Sequence, residues 1–402
     1  MPEAISHCAD LCNAIAPVVA GQGDKGLRGI SDAQLAADGN NFTGARLILA
    51  SGVIWTHCYW LATGVSAADE LSGVIGLPIS HLAVNGFFFV SGFLICQSLF
   101  RQAGVFPFLA MRVARIWPAL IVCTMLTLAV FAMLSDRAAA YLIDPQSLRF
   151  VAMNLVMLKA EYEVPALVAG GKAIVVNGSL WTIPWELRCY LVMALGFAVV
   201  GHRRAAVVRP VLLLSVAAAI GWAAAQQWWA GFPATDKGLL YNLDIWLRLW
   251  GCFAAGALVW LERGRAMPPW WLGPGLAVMA IVEHQLMGSA LLATPAVFAL
   301  VLTAVFGGGP ARAVTAHWPD FSYGIYIFAF PVMVLLQQLV PDLVADHRWM
   351  ATANLVAVLP LAALSWFWVE KPALSGARSW LKTRRAAKVK ALDVSAGDAK
   401  SV

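Results

Sequence analysis

The sequence predicts an all-α, polytopic integral membrane protein with about ten transmembrane helices and both termini cytoplasmic. Three observations carry this expectation. Of 402 residues, 60% are hydrophobic and only 12% are charged, about half the roughly 25% charge typical of a soluble domain. Mean hydropathy is +0.73, and the apolar residues gather into runs of the roughly 17–25 residues needed to cross a bilayer as helix. Arg and Lys fall in alternate loops between those runs, the bias that orients membrane helices. The net charge of +6 therefore reflects topology, and no nucleic-acid partner is expected.

Residues 1–40 form a polar N-terminal extension without the Lys/Arg-led apolar core of a signal peptide. Spans are expected at 45–64, 80–100, 114–134, 185–201, 207–227, 241–262, 269–285, 288–307, 321–340 and 350–369. A further apolar run at 147–160 is short for a span. If it stays on one side, Arg101, Arg112, Arg115, Arg203, Arg204, Arg209, Arg263, Arg265, Arg312 and the basic set from Lys371 to Lys400 share the inner side. Arg137, Arg149, Lys159, Lys172, Lys237 and Arg348 then lie outside. Counting it as a span would turn the basic C-terminus outward, against the positive-inside rule. Residues 135–184 thus become one outer loop with an interfacial or re-entrant helix. Residues 41–372 form the membrane domain, and 373–402 a basic cytoplasmic tail with its last twenty or so residues disordered. Cys58, Cys96, Cys123, Cys189 and Cys252 lie inside apolar runs, and Cys8 and Cys12 lack CxxC spacing. Neither a disulfide framework nor a metal site is expected.

Ionisable side chains inside spans point to function. Here they are Arg46, His57, Glu186, Arg188, Asp244 and Arg248. Arg46 and His57 are eleven residues apart, three helical turns with about 20° of drift, so they share a face about 16 Å apart along the axis. One reading is a transmembrane site for an anionic donor; the other is a positive-inside anchor and a hydrogen-bonding imidazole. Asp244 and Arg248 have the i, i+4 spacing of an intrahelical ion pair. Arg112 and Arg115 share the cytoplasmic end of the third span. Two forked cations there suit phosphate groups, and equally suit a topogenic cluster.

Several segments together resemble the acyltransferase-3 family of polytopic membrane acyltransferases, over about Asn41 to Pro372. Arg46 and His57 match its Arg-x10-His opening. Gly86-Phe-Phe-Phe-Val-Ser-Gly-Phe-Leu-Ile95 resembles its FFxxSGFLI element, and Arg112-Val-Ala-Arg-Ile-Trp-Pro118 its RxxRIxP stretch. Asn177-Gly-Ser-Leu-Trp-Thr-Ile-Pro-Trp-Glu186, with Tyr190, is similar to SLWSLxxExxxY. Phe321–Pro331 and Val369-Glu-Lys-Pro372 are similar to the family's SYxxYLxHxP and xEKP endings, with Ala329 where His is often found. Six such elements in order make a specific resemblance. The chain ends soon after the last span, without the SGNH-type esterase domain of fused members, which implies a stand-alone enzyme.

The resemblance implies transfer of an acyl group, by default acetyl, from acyl-CoA to a glycan hydroxyl. Acceptors in the family include cell-surface polysaccharides, O-antigens, Nod factors and some macrolides. His57 would act as general base, Arg46 would orient the donor or stabilise developing charge, and Glu186 would have a site role. The alternative for Glu186 is a carboxylate favoured by a helix N-terminus. Arg112 and Arg115 would hold CoA phosphates. Trp181 and Tyr323 would contact the acceptor, although Trp181 with Trp185, Trp228 and Trp229 also fits an interfacial aromatic belt. No cofactor is permanently bound; acetyl-CoA is a substrate. The setting implied is the bacterial inner (plasma) membrane, with a glycan or lipid-linked sugar as acceptor and a homo-oligomer or polysaccharide-assembly proteins as partners. A secondary transporter or flippase of a glycan-export pathway is the alternative, but no inverted repeat or matching pair of broken helices favours it.

Cysteine labelling of intact cells should place residues 101–112, Arg203 and the C-terminal tail inside and 135–184 outside. An externally labelled tail would show that 147–160 crosses.

Overall fold

The computed structural model describes residues 29–398, except 37–38, 67, 102–103, 137, 166–173, 201–203, 230, 234–237, 266 and 308–317. Most of the expected N-terminal extension, with Cys8 and Cys12, lies outside the described residues, as do Arg137, Lys172, Arg203, Lys237 and Arg312.

Helices occupy every stretch expected to span. They are α1 (Phe42–Thr63), α2 (Ile79–Arg101), α3 (Val105–Leu134), then a short α4 (Pro145–Val156) in the long loop, α5 (Ile183–Val200), α6 (Arg204–Trp228), α7 (Gly238–Leu261), α8 (Leu272–Met287), α9 (Ala293–Phe306), α10 (Ser322–Leu339) and α11 (His347–Ser365). A π-helical turn, Trp366–Glu370, joins α11 to α12 (Lys371–Asp398). Among the described residues, seven helical segments are long and apolar enough to cross a membrane: α2, α3, α5 with its preceding turn, α6, α7, α10, and α11 running into α12. The other three expected spans are also helical. Of these, α1 carries Arg46, Ser51, Thr56 and His57, while α8 and α9 have 16 and 14 residues. The chain is an all-α polytopic membrane protein; its β-structure among the described residues is one two-stranded pair, Glu163–Val164 with Ile174–Val175, in the long loop.

Helix α4 is not among the helices long enough to cross. Its 12 residues span about 18 Å, short of a hydrocarbon core of about 30 Å. Asp144 caps its start by accepting from the Gln146 amide at 2.8 Å. Trp117 of α3 donates to the Leu155 carbonyl at 3.0 Å, pinning the other end. Leu148 and Val156 are exposed while Phe150 and Asn154 are buried, the two-faced character of an interfacial helix.

Two expectations shift at the ends of the chain. The tail is helical to Asp398 where disorder was expected, because its Ala-, Lys- and Arg-rich sequence favours helix and extends one that already exists. Before α1, Ile30 and Leu35 are buried. The Ile30 amide donates to the Arg263 carbonyl at 2.7 Å, and Gln34 reaches the Phe306 carbonyl at 3.4 Å. The last turn of the extension is therefore packed against α7 and α9.

The tightest crossing joins α2 to α7. A β-carbon on Gly92 would lie 1.8 Å from the Phe253 carbonyl oxygen, and one on Gly256 equally close to that of Phe89. Small residues allow backbones to meet in this way without lipid between them. At the opposite end, buried Asp69 ties the α1–α2 loop. It accepts from Thr56 Oγ1 at 2.5 Å and from the Ile79 amide at 2.8 Å, so it holds both helix ends. Glu70 extends this tie, accepting from Trp55 at 3.0 Å and pairing with His347 at 2.7 Å.

Gly92→Leu should markedly lower the thermal unfolding midpoint of purified protein, because α2 and α7 must separate to admit the side chain. Gly196→Ala, where a β-carbon meets nothing within 4 Å, should leave the midpoint near wild type. Equal midpoints for both variants would contradict the crossing.

Candidate active site

Four segments distant in sequence meet at the end of the bundle expected to face the cytoplasm. Asp320, just before α10, accepts from Arg46 of α1 at 2.9 Å and from Arg115 of α3 at 2.6 Å. Arg115 turns its other terminal nitrogen to Glu370 at 2.8 Å. Ser322 donates to Asp320 at 2.5 Å and Ser365 to Glu370 at 3.0 Å. The Arg115 guanidinium also lies against the rings of Tyr323 (5.7 Å) and Trp366 (5.4 Å). Glu370 is wholly buried, and the π-helical turn aims it inward, a use of extra backbone often seen at functional sites. Two guanidinium groups and two carboxylates balance, so the charges are paired where an isolated one would be costly.

Above this network lie two chambers. The narrower, about 70 Å³, is lined by Arg46, Ser91, Thr182, Glu186, Ser322 and Tyr323 among others. The wider, about 540 Å³, is lined by His57, His81, Trp60, Trp181, Asp244 and Arg248 among others. Val84 and Tyr326 line both and form the partition, with the Tyr326 hydroxyl 2.7 Å from Thr182 Oγ1. The loop that supplies Thr182 and Trp181 is fastened by Asn177, which donates to the Ile327 carbonyl of α10 at 2.8 Å. A β-carbon on Gly178 would meet the Phe330 ring at 2.7 Å, so the loop lies directly on α10.

The expected site residues are distributed across this frame. Arg46 and His57 do share a face of α1: the first reaches the narrow chamber and the second the wide one, its ring edge-on to Phe330 with centroids 5.0 Å apart. Glu186 lines the narrow chamber, accepting from Ser91 at 3.0 Å and from the Tyr190 hydroxyl. Trp181 lines the wide chamber. The Tyr323 ring lines the narrow one, while its hydroxyl donates to the Ile116 carbonyl at 3.0 Å. Ala329, in place of the frequent His, is buried with its carbonyl bonded by Asn354 at 2.8 Å.

The structure gives Arg112, Arg115, Arg188 and Asp244 partners that spacing alone does not show. Arg112 and Arg115 are not a matched pair of free forks. Arg115 is held by Asp320 and Glu370, whereas Arg112 lies over the Phe108 ring (5.7 Å) with its Nε buried and unbonded among the described residues. Asp244 and Arg248 are not ion-paired, because α6 competes for the carboxylate: Trp222 and Gln226 both donate to Asp244 at 2.9 Å. Arg188 is a clasp on the long loop, donating to the Leu158 carbonyl at 2.7 Å beneath Trp185.

The spacing arguments missed Asp320, which stands one residue before a quoted motif, and Ser91, Tyr326 and Glu370, which stand inside quoted motifs without an assigned contact. His81, near the start of α2, lines the same chamber as His57.

A polytopic helical bundle with ionisable groups converging on two joined chambers defines a membrane protein built around an internal site. Residues 40–370 match the model of a family described as an acyltransferase domain, and the chain belongs to this acyltransferase-3 family. Among similar proteins, an O-acetyl transferase of Shigella phage Sf6 is 26% identical over 343 residues, covering 83% of this chain and 95% of that protein. Nodulation protein 10 of Rhizobium leguminosarum bv. viciae is 29% identical over 371 residues, covering 86% and 96% respectively. No solved structure matches. The protein is a membrane acyltransferase.

Asp320→Ala and Arg115→Ala should each destabilise the purified protein by about 3–5 kcal/mol, as expected when one member of a buried ion pair is removed. The double variant should lose clearly less than the sum. Strict additivity in denaturant unfolding would show that the two side chains do not interact.

Proposed function

We propose that the protein is an acetyl-CoA-dependent O-acetyltransferase of the bacterial inner membrane, acting on a hydroxyl of a cell-surface, exported or lipid-linked glycan. The observation that carries this reading is the placement of the only imidazole on α1, His57, in a wide chamber directly across a thin partition from an Arg46-lined channel. The name of the phage relative supports acetyl as the group moved.

A sugar hydroxyl is a weak nucleophile and needs a base near neutral pKa, for which imidazole is suited. His57 removes the hydroxyl proton as the oxygen attacks the thioester carbonyl. The tetrahedral intermediate collapses with cleavage of the C–S bond, and CoA leaves as thiolate and takes up a proton. Arg46, oriented by Asp320, faces the narrow chamber, where a cation in a low-dielectric setting stabilises negative charge on the donor carbonyl. The slender pantetheine arm of CoA fits the narrow chamber better than a sugar would, which sends donor and acceptor to opposite ends. Arg112, with a donor left unbonded, is the better partner for CoA phosphates. Arg115 is already committed to two carboxylates, so its role is to hold Arg46's partner in place. Glu186, fixed by Ser91 and Tyr190, positions the wall facing Arg46. Trp181 offers an aromatic face to a sugar ring.

His57→Ala should reduce transfer of labelled acetyl from acetyl-CoA by at least about a hundredfold, with unchanged yield and thermal midpoint. Retention of more than a tenth of wild-type turnover would remove His57 as the base.

A further inference from the structure

Arg248 projects from α7 into the wide chamber, and its charge is poorly matched there. Its hydrogen bond to a side chain is a long one, 3.3 Å from Nη1 to Asn85 Oδ1, and Asn85 itself donates to Thr294 at 2.9 Å. The guanidinium also lies over the Trp181 ring, 5.8 Å from its centroid. The other ionisable groups lining the chamber are His57 of α1, His81 of α2, Asp244 and the phenols of Tyr162, Tyr241 and Tyr326. Asp244 is one turn nearer the outer end of α7 and is bonded by Trp222 and Gln226. Among the described residues, no carboxylate lies within ion-pairing distance of Arg248. At the opposite end of the bundle Arg115 has two such partners and Arg46 has one, so the contrast lies within a single fold.

A guanidinium held away from bulk water with no carboxylate in direct contact is complementary to an anion, and its planar fork fits a carboxylate with two parallel bonds. At about 540 Å³ the chamber is within the range that encloses small organic ligands. Trp60 and Trp181 supply flat apolar faces, which suit a pyranose ring better than a bare inorganic ion. His57 lines the same space.

We propose that the wide chamber selects an acidic glycan, the Arg248 guanidinium pairing with a carboxylate on or next to the sugar whose hydroxyl faces His57. This rests on the acyltransfer reading of the chamber for the role of His57, but the binding claim is separable from it. Asp244, one turn before Arg248 on α7 and lining the same chamber, adds a second discriminating element, since it opposes a carboxylate bound in the reverse orientation.

Saturation-transfer NMR on protein in a detergent without a sugar headgroup tests this directly, using methyl β-D-glucuronide, methyl β-D-glucoside and methyl glucoside 6-phosphate as probes. Wild-type protein should bind the glucuronide about ten- to a hundredfold more tightly than the glucoside, the range expected of a charge-assisted contact. Arg248→Gln should erase that preference without weakening glucoside binding, and Arg248→Lys should restore part of it. Equal binding of the two glycosides by wild-type protein would overturn the proposal whether or not the variants fold. So would a preference that persists in folded Arg248→Gln, or tighter binding of the 6-phosphate than of the glucuronide. Labelled acetyl-CoA separates this result from the proposed reaction. An Arg248-dependent preference with no acetyl transferred to any acceptor would sink the transferase reading and leave the anion site. Acetyl transfer with no preference would do the reverse.

Discussion

The Asp320 carboxylate is the point on which one end of the helical bundle depends. It receives Arg46 and Arg115 from two helices while standing at the entrance to a third, and Arg115 carries the connection on to Glu370. In a low-dielectric interior such charges are tolerable only as a set, so each member makes the others affordable. The network therefore fixes α1, α3, α10 and the α11–α12 junction relative to one another. It also fixes the direction in which Arg46 points, and so links folding to chemistry.

Above that base the site is divided by size. A narrow chamber and a wide one meet at Val84 and Tyr326, and α1 serves both, with Arg46 on one side and His57 on the other. A single helix face thus sets the spacing between a fixed cation and a titratable base. In the proposed reaction a thin donor arm takes one side and a bulky acceptor the other, so that the reacting atoms would meet only at the partition. The long loop completes the enclosure, since Trp181 and Thr182 come from a segment pinned to α10 by Asn177.

Much of this was legible in the sequence. Apolar run length located the helices, and the run at 147–160, read as short for a span, is a helix of 12 residues. The eleven-residue interval placed Arg46 and His57 on one face because helical geometry is local. What spacing could not supply was the identity of partners brought from elsewhere. Asp244 and Arg248 have ideal intrahelical separation, yet Trp222 and Gln226 of α6 take the carboxylate. Arg112 and Arg115 look equivalent three residues apart, yet only Arg115 meets Asp320 and Glu370, from positions 205 and 255 residues away in sequence. Gly92 could be read as part of a family motif, but its reason is a carbonyl on α7. Local periodicity establishes which face a residue occupies, and tertiary packing determines what waits there.

The central claim is that donor and acceptor reach one partition from opposite chambers above an intact ion network. The most direct measurement is an electron cryomicroscopy map of the protein with a non-hydrolysable acetyl-CoA analogue. The account predicts density for the pantetheine arm in the narrow chamber beside Arg46 and Glu186, the acetyl end at Tyr326 facing His57, and Asp320 still bridging Arg46 and Arg115. An analogue seated in the wide chamber beside Trp181, or a map in which Asp320 has released both arginines, would contradict it.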